Sequence, residues 1–82
     1  MSDKIKQDIS IGDNLRKLRK NAGLSQSEAA AALQLMGLPV SREILSQMER
    51  GRYNIRVSEL CALKEIYGVI SFDDFFEGLE KL

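Results

Sequence analysis

Residues 41–51 read Ser41-Arg42-Glu43-Ile44-Leu45-Ser46-Gln47-Met48-Glu49-Arg50-Gly51, and they contain everything a short two-faced helix needs. Ser41 can cap the start, because its hydroxyl accepts from an orphan backbone N–H. Gly51 can end the helix, because it enters the left-handed region without a Cβ clash. Leu45 and Met48 lie three apart and share one face. At about 100° per residue, Glu43, Gln47 and Arg50 fall on the opposite face, with Ser46 and Arg42 at its edge. Arg and Gln make bidentate contacts to guanine and adenine edges, and Glu accepts from the cytosine amine. The alternative for this stretch alone is an ordinary amphipathic surface helix, so its neighbours have to decide between the two.

Upstream, Ile11, Leu15, Leu18 and Ala22 recur at helical spacing, with Gly23 as a stop. Arg16, Lys17, Arg19 and Lys20 crowd this first helix. Ser25-Gln26-Ser27-Glu28 is a capping box that opens a second helix. Gln26 falls in its first turn, where a side-chain amide and exposed N–H groups can hold a phosphate. The run 29–32 is all alanine, a strong helix former that leaves little bulk between packed helices. Leu33, Met36 and Gly37 finish this helix, and Pro39 keeps Leu38 extended in the connection that follows. Residues 1–10 carry scattered charge and few large apolar groups, which reads as a flexible N-terminal arm before a domain over 11–82.

Downstream, Arg52-Tyr53-Asn54 is a polar loop, suited either to phosphate contacts or to a simple surface turn. Val57-Ser58 starts a fourth helix with Leu60, Leu63, Ile66 and Tyr67 as its apolar stripe and Gly68 at its end. Ser71-Phe72-Asp73-Asp74 opens a short fifth helix, with Asp74 in the capping-box role of a glutamate. Phe72, Phe75, Phe76, Leu79 and Leu82 are too many large apolar groups for one exposed helix. They belong against the domain or against a second copy, which makes Phe72, Phe75, Phe76 and Leu79 dimer candidates. There are no strand signals and no internal repeats. The fold class read from this pattern is all-α, a five-helix bundle.

Composition narrows the chemistry. Eighty-two residues allow one domain with a modest core. A single cysteine, Cys61, excludes an internal disulfide and a cysteine zinc cluster, and the absence of histidine excludes His-based catalysis and ligation. No metal, cofactor or catalytic residue is expected. Cys61 sits beside the apolar stripe of the fourth helix and reads as a small buried hydrophobe. The chain shows no signal peptide and no apolar run of membrane-spanning length, so a cytoplasmic protein without membrane contact is expected. Net charge is zero, but residues 1–56 hold ten basic and six acidic side chains, and residues 57–82 two basic and six acidic ones. That division, +4 against −4, predicts a basic face and an acidic face.

The order of these elements carries a resemblance. Ile11-Gly12-Asp13-Asn14-Leu15-Arg16-Lys17-Leu18-Arg19, Gly23-Leu24-Ser25-Gln26, Val40-Ser41-Arg42 and the run 45–51 together resemble the lambda-repressor/Cro (Cro/C1-type) helix-turn-helix domain of the XRE family. The resemblance covers 11–79. It implies that helix 41–50 enters the major groove of double-stranded DNA while the preceding helix crosses the backbone. By position, Arg42, Glu43, Ser46 and Gln47 are then the base-reading residues, with Ile44 beside them and able to touch a thymine methyl. Gln26, Ser27, Ser41, Arg50, Arg52, Tyr53 and Asn54 are the phosphate-positioning residues. Ala30 takes the small-residue position where the two helices pack, and Arg19 and Glu49 match a partly buried ion pair seen in some relatives. Residues 33–40 are several longer than the usual connection and resemble a variant with an extended second helix.

What the resemblance implies is a transcription regulator, most simply a repressor, binding an inverted repeat as a homodimer. It also implies a bacterial, phage or mobile-element origin. The alternative from another class is a protein-interaction module, such as an antitoxin or adaptor, favoured by zero net charge and the Phe72–Phe76 cluster. An enzyme is not expected.

Overall fold

A computed structural model describes residues 10–79. Their regular structure is four α-helices, α1 (Gly12–Asn21), α2 (Gln26–Leu35), α3 (Arg42–Glu49) and α4 (Val57–Ile66), followed by a 3₁₀ helix over Phe72–Phe76. All of the expected arm, 1–10, except Ser10 lies outside the described residues, as does Leu82.

Each boundary has a local chemical cause. The α2 capping box is complete, with Glu28 N donating to Ser25 Oγ at 3.0 Å and Ser25 N to Glu28 Oε1 at 2.9 Å. Ser41 Oγ accepts from Ile44 N at 3.1 Å and starts α3. At the start of α4 it is Glu59 that reaches back, its Oε1 accepting from Arg56 N at 2.8 Å. Gly51, at φ 74°, closes α3: its N–H goes to Met48 O at 3.1 Å, and the next N–H, of Arg52, to Gln47 O at 2.9 Å. The second helix ends at Leu35, with Met36 as its cap, so the extra residues before α3 fall in the connection rather than in the helix. Gln34 spans that connection, its Nε2 donating to Val40 O at 3.0 Å.

The fifth element departs from the expected α-helix. Ser71 Oγ accepts from Asp73 N at 3.1 Å, so Asp74 does not play the capping-box role. Five residues give a single tight turn, and in a 3₁₀ turn side chains three apart eclipse each other. Phe72 and Phe75 do so, with ring centroids 6.2 Å apart, and Lys64 Nζ lies 5.4 Å from the centre of the Phe72 ring.

One core joins every element. Leu15, Leu33, Val40, Leu45, Met48, Ile55, Leu63 and Phe75 are fully buried. Phe75 is therefore a core residue and not a dimer contact; Leu79 is half-buried against the same core, and of the four dimer candidates Phe72 and Phe76 stay exposed. Phe75 fills the core, while Phe72, stacked on the outer side of it, and Phe76, on another edge of the turn, stay at the surface. Asn14 fastens that turn to α1, its Nδ2 donating to Phe75 O at 2.9 Å and to Glu77 O at 3.0 Å. Cys61, expected inside, is exposed on the outer side of α4.

Small residues set the helix spacing. Ala29 and Ala30 are buried in α2. Gly12 lets the start of α1 meet the end of α3: a Cβ there would lie 2.8 Å from Glu49 C and 2.9 Å from Met48 O, and closer still to Glu49 O. No real Cβ tolerates such contacts, so this position admits only glycine unless α3 moves.

Candidate nucleic-acid interface

Leu45 and Met48 anchor α3 in the core, and this leaves its polar edge outward. The Arg42 and Glu43 side chains are 55% and 75% exposed. Ser46 and Gln47 are half-buried, and Arg50 is exposed. Ile44 is half-buried and packs against the core. Arg42 Nη2 and Glu43 Oε1 are 3.7 Å apart, a loose surface pair that water and salt readily separate.

Beneath that edge lies a buried polar network. Glu49 Oε2 accepts from Arg19 Nε at 2.7 Å and Oε1 from Arg19 Nη2 at 3.1 Å, a bidentate pair between α1 and α3. Both residues are only 7% exposed. Arg19 Nη1 also donates to Leu24 O at 2.8 Å, and Gln26 Nε2 to Glu49 Oε1 at 3.1 Å. The Glu49 carboxylate thus ties α1 and the first turn of α2 to the last turn of α3, and Arg19 in turn holds the 23–25 turn. The hydrogen bond to Glu49 holds the Arg19 guanidinium above its ordinary pKa, so it stays charged. Gln26, expected to hold phosphate, spends one amide hydrogen on Glu49 and keeps the other.

Tyr67 closes the network from below. Its hydroxyl is buried and makes no hydrogen bond. Burial first, and then the charge of Glu49, push its pKa well above the usual tyrosine value. This orphan was not legible in the sequence, where Tyr67 is one more member of an apolar stripe.

The other expected positioning residues divide. Ser27, Arg52 and Asn54 are exposed. The Ser41 hydroxyl caps α3. The Tyr53 hydroxyl donates to Glu59 Oε2 at 3.1 Å, which pins the loop to α4, and burial together with Glu59 raises its pKa.

An open polar groove runs between the front of α1, the first turn of α2 and the edge of α3. Arg42, Ser46, Arg50 and Arg52 line it, as does Gln26. So do two residues to which sequence reasoning gave no role, Asp13 and Arg16. Their signal was present in the crowding of charge on α1, but the sequence does not say which member of that crowd faces α3. Among the described residues, no helix is long and apolar enough to cross a membrane, and no cluster of acidic residues or cysteine is arranged to hold a metal.

Comparison with known proteins agrees with this arrangement. A family model described as a helix-turn-helix domain matches residues 10–74. The HTH-type transcriptional regulator DdrOP3 of Deinococcus deserti is 38% identical over 72 residues, which are 88% of this chain and 51% of that protein. The chain therefore spans about half the length of this curated relative. No solved structure matches. Two packed helices joined by a connection, the second offering a polar edge, together with the match over 10–74, place the chain in the helix-turn-helix family, of the XRE type.

Proposed function

We infer that the chain is a sequence-specific DNA-binding transcription regulator that docks α3 in the major groove and lays α2 across the backbone. The observation that carries this reading is the outward edge of α3. Arg42 and Glu43 lie in its first turn, where helix-turn-helix proteins contact bases, and are exposed, while Ser46 and Gln47 lie one turn further on along the same edge and are half-buried. The groove beside them holds four arginines against Asp13 and a Glu49 already neutralised by Arg19. Phosphate contacts then fall to Arg50, Arg52, Asn54 and Ser27, with the remaining amide hydrogen of Gln26 and the free hydroxyl proton of Ser41 as lesser donors. Tyr53 supports the loop instead.

The reading includes a homodimer acting as a repressor on an inverted repeat. The body measures 35 × 31 × 20 Å. An inverted repeat with half-sites one helical turn apart asks for copies about 34 Å apart, a spacing that a body of these dimensions can meet with both copies on one side of the DNA. Selection from a random duplex library tests this: it should return an inverted repeat with half-sites about one turn apart. A pool showing no common sequence would remove the reading.

A second reading, a protein-interaction module of antitoxin or adaptor type, is favoured by one observation. Ile70, Phe72 and Phe76 remain 91%, 42% and 39% exposed beside Asp73, Asp74 and Glu77. Salt separates the two, since binding through phosphates weakens steeply with salt and an apolar protein contact does not. Both roles can coexist in one chain.

A further inference from the structure

We propose that Arg16, on α1, is a phosphate-binding residue that joins Arg50 and Arg52 in gripping the DNA backbone, and that Asp13 weakens the same grip. The proposal rests on the DNA-binding reading above and adds a third element of the fold to the contact.

Arg16, Arg50 and Arg52 come from α1, from the end of α3 and from the loop after it, yet all three line one groove beside the outward edge of α3. All three residues are exposed, and none has a salt bridge among the described residues. Like charges gathered in one concavity repel each other unless an anion joins them. Among the described residues, the only carboxylates on the groove are Glu49, which is spent on Arg19 and Gln26, and Asp13. Gln26 also opens onto the groove, from the first turn of α2. A strand flanking a major groove filled by α3 passes along this concavity, where its phosphodiesters meet the three guanidinium groups. Arg supplies a planar fork that matches phosphate oxygens. Asp13 lies one turn before Arg16 and offers only oxygen acceptors, so it repels the same strand. The selecting feature is position and not charge alone, because Lys17 is the next residue on α1 and does not line the groove.

The test compares wild type, Arg16→Ala, Arg16→Lys, Asp13→Asn and Lys17→Ala on the selected duplex and on an unrelated duplex, across a salt series. All three positions are surface ones, and circular dichroism checks that each of the four variants folds. Losing one phosphate contact should reduce the salt slope by about 0.9, equal to about an eightfold loss at 0.1 M salt. Arg16→Ala should show this on both duplexes alike, because a phosphate contact carries no sequence information. Arg16→Lys should keep most of the slope. Asp13→Asn should bind more tightly than wild type at low salt, the gain fading as salt rises, and Lys17→Ala should leave the slope unchanged. Wild-type binding with a steep slope that Arg16→Ala leaves untouched would overturn the proposal and spare the DNA-binding reading. An equal loss in Lys17→Ala would also overturn it, by showing that only overall charge matters. No duplex binding by wild type would remove both.

Discussion

Replacing Glu49 by glutamine should cost far more than its surface neighbourhood suggests. The substitution keeps the size of the side chain and removes its charge, so no cavity contributes. It turns an amide hydrogen toward the Arg19 donors, which now sit 2.7 and 3.1 Å from two carboxylate oxygens. The guanidinium cannot shed its proton and, with the residue 7% exposed, cannot rehydrate without moving α1 away from α3. Removing one partner of such a buried pair costs about 3–5 kcal/mol. A domain of this size holds about 4–12 kcal/mol in total at the usual stability per residue, so the loss is a large part of it. Thermal unfolding followed by circular dichroism should show Tm falling by at least about 12 °C. The double replacement Arg19→Met with Glu49→Leu removes both charges and should recover most of the loss, because no charge is then left stranded. Glu43→Gln is the control: its partner is 3.7 Å away and exposed, and the change should cost less than about 1 kcal/mol. A Glu49→Gln cost below about 1 kcal/mol, matching that of the surface pair, would refute the claim that this network is desolvated and braces α3.

Other consequences follow from the same geometry. Gly12→Ala should destabilise by about 1–3 kcal/mol in urea unfolding, because its methyl group meets the Met48 and Glu49 carbonyls; an unchanged midpoint would mean that α1 and α3 do not touch there. Tyr67→Phe removes a hydroxyl without a partner and should be neutral or stabilising near neutral pH, whereas a loss above about 1 kcal/mol would reveal a hidden acceptor. The phenol pKa is raised by folding, so its contribution is complete below about pH 10, the unfolded value, and is lost as pH rises further. Tm between pH 8 and 11 should therefore fall less steeply in Tyr67→Phe than in wild type. The Glu28 carboxyl, held by the Ser25 N–H and then by its hydroxyl, should titrate below the ordinary glutamate value in a carbon-detected NMR titration. Its support for the start of α2 is present above that value and lost as pH falls through the folded pKa; Ser25→Ala should move the titration only part of the way back, since the backbone N–H remains.

What the sequence made legible is what depends on neighbours along the chain. Helix starts at Ser25 and Ser41 and the stop at Gly51 are decided by residues one to three positions away, and the structure uses the same atoms that the pattern suggests. The core face of α3 follows from helical spacing in the same way. What stayed hidden depends on residues far apart. The Asn14 clamp on Phe75 O spans 61 positions, and nothing near Asn14 hints at it. The bond from Gln26 to Glu49 spans 23 positions and turns an expected phosphate ligand partly inward. Phe75 and Phe76 look alike in the sequence, yet one is sealed in the core and the other is open to solvent, because that choice is made by the tight turn they occupy. Cys61, read as buried, faces solvent for the same reason: helical spacing gives a direction, and only the packed neighbours say what lies there.

Whether the outer edge of α3 reads bases is measured most directly by random-duplex selection run in parallel with wild type, Arg42→Ala and Gln47→Ala. Each variant should keep the half-site spacing and lose preference at its own positions in the half-site, by about 1–3 kcal/mol each, while discrimination elsewhere is preserved. Identical selected sequences from all three proteins would contradict base reading by that edge, because the residues presented to the groove would then carry none of the sequence information.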